Sequence, residues 1–190
     1  MRHARLALLS AAAIAATALA CGGSPAAPSS PAAAPQSGRF TLTSPAFVDG
    51  GTLPAEHTCD GTGTSPALSW ASPPAGTLEF AVLMSTLPGD GTTKWNWVVY
   101  GIPASTTGLA RGSSGVGTLG VGSDGPQAAY QPPCSQGPGA KSYTFTIHAL
   151  SGSPRLTAPP SQITGAVLTS AMASITLGTA SVTVTYTRPR

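Results

Sequence analysis

The chain has 190 residues and a formal charge of +3, with 8% of residues charged and 41% hydrophobic. That length holds one domain of ordinary size, and the apolar share excludes a disordered chain despite the low charge. Twenty-three glycines and 19 prolines favour many turns and short strands over long helices, and with no basic run or basic helix face nothing points to nucleic acid.

Met1–Arg5 is short and basic, and Leu6–Ala20 is apolar and rich in alanine. These are the n-region and h-region of a secretory signal. The apolar run is shorter than the roughly 20 residues that a spanning helix needs. Ala18-Leu19-Ala20-Cys21 resembles a bacterial lipobox, in which the cysteine thiol takes a diacylglyceryl group and becomes the new N-terminus. Ala18 stands where that pattern usually has leucine. Residues 1–21 are therefore read as a lipoprotein signal, with Cys21 as the lipidation site. Two acyl chains give stable anchoring where one does not. The alternative is an ordinary signal peptide, cut near Ala20 to release a secreted protein. Either way the location is extracytoplasmic. Arg2 and Arg5 leave with the leader, so seven basic residues face six acidic ones in the remainder. Residues 22–38 are almost entirely Ala, Pro, Ser and Gly without charge, and read as a semi-extended tether.

The domain is read as residues 39–190. Phe40 and Leu42 alternate with Thr41 and Thr43, a period-two signal for a strand. Further strands are expected at Ala67–Trp70, Leu78–Ser85, Trp95–Ile102, Ser142–Leu150 and Ser181–Thr187. Tyr143, Phe145, Ile147 and Ala149 share one face, and so do Val182, Val184 and Tyr186. That is the pattern of antiparallel strands buried on one side. One helix is expected from Ser161-Gln162, with Ile163, Val167, Leu168 and Met172 at helical spacing and Gly165 weakening it. The stretch from Leu109 to Gln136 reads as a long loop, and such loops are usually functional or irregular but packed.

Four segments in order are similar to the bacterial Raf-kinase-inhibitor-like (YbhB/YbcL) branch of the phosphatidylethanolamine-binding protein family. They are Phe40–Phe47 with Asp49-Gly50, then Thr58-Cys59-Asp60-Gly61 with Ser65–Trp70, then Asn96–Ala104, and last Pro133-Cys134 with Gly137, Tyr143 and Phe145. The C-terminal stretch from Ala171-Met172 to Tyr186-Thr187-Arg188 is also similar. The resemblance implies an all-β fold with a minor helix, two packed antiparallel sheets joined as a Greek-key sandwich, in agreement with the strand pattern. It also implies a small pocket for phosphate or a phosphoryl head group. The family builds that pocket from an acidic Asp-Pro-Asp-Ala-Pro segment, a histidine before tryptophan, a Gly-Pro turn and the histidine of His-Arg-Tyr. Here the acidic segment aligns with Ser85–Gly89, and Asp90 lies nearby as a partial replacement. The two histidines become Asn96 and Lys141. The expected ligand-binding set is thus Asn96, Trp97, Pro133, Lys141, Tyr143 and Asp90. Lys141 and backbone N–H groups suit an anion, while Asn96 both donates and accepts and suits a neutral polar ligand equally.

Cys59 and Cys134 remain once Cys21 is assigned. In an oxidising compartment an even pair suggests a disulfide, with free thiols as the alternative. His57-Thr58-Cys59-Asp60 with Cys134 holds metal-ligand residue types, but structural zinc wants four ligands at tight spacing, so no metal and no cofactor is expected. Gly115–Gly120 matches a dinucleotide fingerprint by letter. It lacks the strand, helix and acidic residue that the mechanism needs, and reads as a flexible loop. No nucleophile-elbow motif is present. His148 reads as a packed strand residue, and catalysis is not expected. The function classes carried forward are three: a non-catalytic binder of a small anion or polar head group, an exported hydrolase using His57 or His148, and an inhibitor that occludes a partner protein.

Overall fold

The computed structural model describes residues 38–134 and 136–189. The leader, Cys21 and the tether up to residue 37 lie outside the described residues. Among the described residues no helix is long and apolar enough to cross a membrane.

Eight strands and one short helix follow in chain order: β1 (Thr41–Thr43), β2 (Leu68–Ala71), β3 (Glu79–Thr86), β4 (Lys94–Pro103), β5 (Gly108–Leu109), β6 (Thr118–Leu119), β7 (Lys141–Leu150), α1 (Gly165–Met172) and β8 (Thr176–Tyr186). They form a three-stranded sheet, β1-β2-β5, and a five-stranded sheet, β6-β4-β3-β7-β8. Every strand pairing within these sheets is antiparallel. In the larger sheet β3, β4 and β6 neighbour one another in sequence order, and β7 returns to lie beside β3. That spatial order is a Greek key.

The two sheets enclose the main core. Leu42, Leu68, Trp70 and Leu109 from the small sheet meet Phe80, Val82, Met84, Trp97, Val99, Phe145, Ile147 and Val184 from the large one. The opposite face of the large sheet is covered by Ile163, Leu168 and Met172, which pack on Ala81, Leu83, Val98 and Leu150. β3 is central and covered on both faces, so its run Phe80–Met84 is buried without alternation. β7 keeps the expected alternation, with Tyr143, Phe145, Ile147 and Ala149 inward.

Four expectations need correction. The helix starts at Gly165, not Ser161. A 3-10 turn at Pro160–Gln162 comes first, and Thr164 caps the helix by accepting from the Val167 N–H at 3.3 Å. Val167 is 43% exposed and does not belong to the buried face. The last strand begins at Thr176, five residues before the expected start at Ser181, because its first half is held by pairing with β7. The stretch from Leu109 is not continuous loop. The letters of the dinucleotide-like motif include β6, whose Leu119 and Thr118 pair with Val99 and Tyr100 of β4.

Candidate functional site

The cleft forms where β3 ends and β4 and β7 begin. Antiparallel register brings these three ends together: Thr86 pairs with Lys94 on one side and with Tyr143 on the other. The cleft is a cavity of about 700 Å³, with Thr86, Lys94, Asn96, Lys141 and Tyr143 rising from the strands. Its other wall is the segment from Asp124 to Gln136, contributing Asp124, Gln127, Tyr130, Gln131, Pro132 and Cys134, with Cys59 beside them.

Asn96 reaches the cleft through a β-bulge. Met84 pairs with Trp97 and Ser85 with Trp95, so Asn96 is an extra residue in β4. A bulge interrupts alternation and re-aims side chains. Trp95 packs toward the helix side, Trp97 packs into the inter-sheet core, and Asn96 is left facing the lid segment. The Gln131 N–H donates to the Asn96 carbonyl at 2.7 Å, and Asn96 Nδ2 donates to the Gln131 carbonyl at 3.0 Å. Asn96 Oδ1 is buried and has no hydrogen-bond partner among the described residues.

The lid is tied down at several points. Gln131 Oε1 accepts from the Asp124 N–H at 2.8 Å, and its Nε2 donates to the Gly125 carbonyl at 3.2 Å. Gly122 allows this approach, since a Cβ there would run into the Gln131 amide. The Tyr130 hydroxyl donates to the His57 carbonyl at 2.7 Å, and burial pushes its pKa far above the ordinary tyrosine value. The Tyr143 hydroxyl is also raised, first by burial and then by the charge of Asp124. Cys59 and Cys134 are joined as a disulfide across 75 residues, and the Cys59 N–H donates to the Pro133 carbonyl at 3.0 Å.

Of the six expected ligand-binding residues, Asn96, Lys141 and Tyr143 line one cleft. Three do not. Trp97 is 1% exposed and belongs to the core. It supports the cleft from behind, through an edge-on contact with the Tyr130 ring at 5.6 Å between centroids. Pro133 lies outside the lining, which takes its neighbours Pro132 and Cys134 instead. Asp90 accepts from the Thr92 N–H at 2.9 Å and so shapes its own turn. The carboxylate in the cleft is Asp124.

Sequence reading missed Asp124, Tyr130 and Gln131, and Lys94 on β4. One signal was available: three of the five glutamines fall between 127 and 136, an unusual density of amides for a turn-rich loop. The residues suggestive of metal are engaged elsewhere. His57 Nδ1 lies 2.7 Å from the Thr64 carbonyl. Asp60 accepts from the Tyr186 hydroxyl and from Arg188, both at 2.9 Å. Burial opposes ionisation of Asp60, but these two partners outweigh it and hold the carboxyl below its ordinary pKa. Neither His57 nor His148 lines the cleft. His148 stands on the sheet face of its pairing partner Ala81, and burial lowers its pKa.

A two-sheet antiparallel sandwich with a cleft at the strand ends defines one class of protein. The model of the family described as phosphatidylethanolamine-binding protein matches residues 43–187, and the chain belongs to that family, alongside its bacterial YbcL-like members. Its structure is similar to that of Escherichia coli YbcL, with 27% identity and a TM-score of 0.71 over 80% of this chain and 100% of YbcL. It is equally similar to a Chlamydia trachomatis homologue of the family, at 25% identity and TM-score 0.71 over 79% and 98% of the two chains. Among curated relatives, LppC of Mycobacterium tuberculosis, whose name carries the designation lipoprotein, is 33% identical over 118 residues, 62% of this chain and 58% of LppC. The chain thus spans less than two thirds of that relative. A UPF0098 protein of Methanothermobacter thermautotrophicus is 32% identical over 116 residues, 58% of this chain and 76% of the relative.

Proposed function

We propose that this protein is an exported, lipid-anchored, non-catalytic binding protein whose cleft takes a small anionic or polar ligand. The observation that carries the reading is the convergence of Asn96, Lys141 and Tyr143 on one cavity. A cavity of this size lined by a few convergent polar groups suits a small ligand. Lys94 and Lys141 face a single carboxylate, Asp124, in the lining, and that balance favours a negative group.

Non-catalytic action is supported by the position of both histidines away from the cleft. A general base must come within hydrogen-bond reach of the proton it takes, and a neutral, packed His148 is badly placed for that. Anchoring is supported by the leader, by Cys21 at the end of its apolar run, and by the lipoprotein designation of LppC. A protein partner bound by occlusion is the second reading, and no particular surface favours it.

Two experiments test the proposal. Calorimetric titration of the purified chain with phosphate, acetate and phosphoethanolamine is expected to give saturable binding that Lys141→Ala weakens. Turnover of any member of an ester and phosphoester panel would refute the non-catalytic reading. Metabolic labelling with a fatty acid is expected to mark the wild type and not Cys21→Ser; an unlabelled wild type would make the protein secreted rather than anchored.

A further inference from the structure

The two ends of the large sheet differ. The cleft lies where β3 ends, at Thr86. At the opposite end β3 begins with Glu79, which pairs with Leu150 at the end of β7, and Leu150 pairs in turn with Thr176 at the start of β8. The eight residues of β3 separate these ends by roughly 23 Å. Leu78 and Leu177 sit beside the far register and are 66% and 42% exposed. The Leu78 N–H donates to the Leu150 carbonyl at 2.8 Å, and the Leu177 side chain reaches Gly76. Residues 72–78 and 176–178 carry no charge, and Pro73 and Ala75 among them are exposed. Glu79, the carboxylate next to this surface, accepts from the Ser153 hydroxyl at 2.6 Å and from the Gly101 N–H at 3.0 Å. Two exposed arginines flank it: Arg39, two residues before the Thr41–Ala71 pair, and Arg155, two residues after Ser153.

The described chain also begins at this end. Gly38 lies against the Ser72 side chain, and Pro74 lies against Gly178. Residues 1–37, Cys21 among them, therefore join the domain beside the two leucines and not beside the cleft. We propose that the surface formed by residues 72–78 and 176–178 rests on the bilayer that holds Cys21, so that the cleft opens away from that membrane. The inference rests on the lipid-anchored reading. An anchor keeps the domain at a high effective concentration next to the bilayer, so a contact too weak to bind a free protein still sets its orientation. Leucines suit the boundary between head groups and acyl chains, and the two arginines suit anionic head groups. The tether alone fixes no orientation; the leucine-bearing surface does. The cleft then receives its ligand from the aqueous phase, not from a head group of the anchoring leaflet.

The test is spin-label accessibility on the full acylated chain, reconstituted into vesicles of phosphatidylglycerol and phosphatidylethanolamine. A nitroxide is attached to Leu177→Cys and, in a separate variant, to Leu87→Cys. Leu87 is 67% exposed and follows Thr86 at the cleft end. Cys21 carries its lipid and Cys59 is bonded to Cys134, so under non-reducing conditions the introduced thiol is the one labelled. The label at position 177 is expected to show a several-fold higher ratio of oxygen to water-soluble nickel-chelate collisions than the label at position 87. Adding Leu78→Asp to the Leu177→Cys chain is expected to bring its ratio down to that of position 87. Both substituted leucines and Leu78 are exposed, so the fold is retained, with circular dichroism as the check. Equal ratios at the two positions overturn the docking, and a higher ratio at position 87 turns the cleft toward the membrane and overturns the orientation. Mass spectrometry before reconstitution separates the two readings. An unacylated chain overturns the anchor and the orientation with it, whereas an acylated chain with equal ratios overturns the orientation alone.

Discussion

Replacing both Cys59 and Cys134 by alanine removes a bond within the loop wall of the cleft, and its effect is calculable. The bonded residues are 75 apart in sequence. Closing a loop of that length in the unfolded chain costs about 4.5 kcal/mol of conformational entropy at 25 °C in the chain-entropy model. The native geometry has other supports. The Cys59 N–H still donates to Pro133, and the Tyr130 hydroxyl still donates to the His57 carbonyl. The folded state should therefore change little, and the loss should arise mainly in the unfolded ensemble. The double variant is expected to lose about 4 kcal/mol, a fall in Tm of roughly 8–16 °C for a domain of this size. Urea unfolding followed by circular dichroism under non-reducing conditions measures the loss directly. The m-value should rise, because an unlinked unfolded chain exposes more surface. A loss below about 1 kcal/mol with an unchanged m-value would refute the entropic account.

Three further outcomes follow from other contacts. Gly165→Ala should destabilise by about 1–3 kcal/mol, although helix propensity alone predicts a gain of about 1 kcal/mol, because an added Cβ would overlap the Trp95 indole; a higher Tm in a thermal melt would show that Trp95 yields freely. Tyr130→Phe should cost about 1–2 kcal/mol by leaving the His57 carbonyl without its hydroxyl donor, with denaturant unfolding as the check and an unchanged midpoint as the contrary result. Burial lowers the His148 pKa in the folded chain, so the unfolded chain takes up the proton first as pH falls below about 6.5. Stability should therefore drop between pH 6.5 and 5 by more in the wild type than in His148→Gln, and parallel stability curves for the two would count against a desolvated imidazole.

Much of the sandwich was legible because its strands are long enough to show a period. β7 announces itself through Tyr143, Phe145, Ile147 and Ala149, and the second half of β8 through Val182, Val184 and Tyr186. β3 was legible for a different reason: a strand covered on both faces has no polar side, so its apolar run is continuous. β5 and β6 have two residues each, too few for any period, and exist only because an edge of β2 or β4 lies beside them. The first half of β8 is mostly threonine, alanine and glycine, and its strand state comes from its partner.

The amino-acid order by itself determined which residues carry polar chemistry at the strand ends. Asn96, Lys141 and Tyr143 were visible as the places where this chain departs from or keeps the pattern of its relatives. Tertiary structure alone decided which of them face a common space. Trp97 sits next to Asn96 in the chain yet belongs to the core, because one inserted residue in β4 breaks the alternation between Trp95 and Trp97. Asp124, Tyr130 and Gln131 entered the site because a disulfide and hydrogen bonds to Asn96, His57 and Cys59 fold a loop without periodicity back over the strands. Local sequence encodes the direction of a side chain only while alternation holds. Where a bulge or a tied-back loop interrupts it, contacts from residues far along the chain set the direction instead.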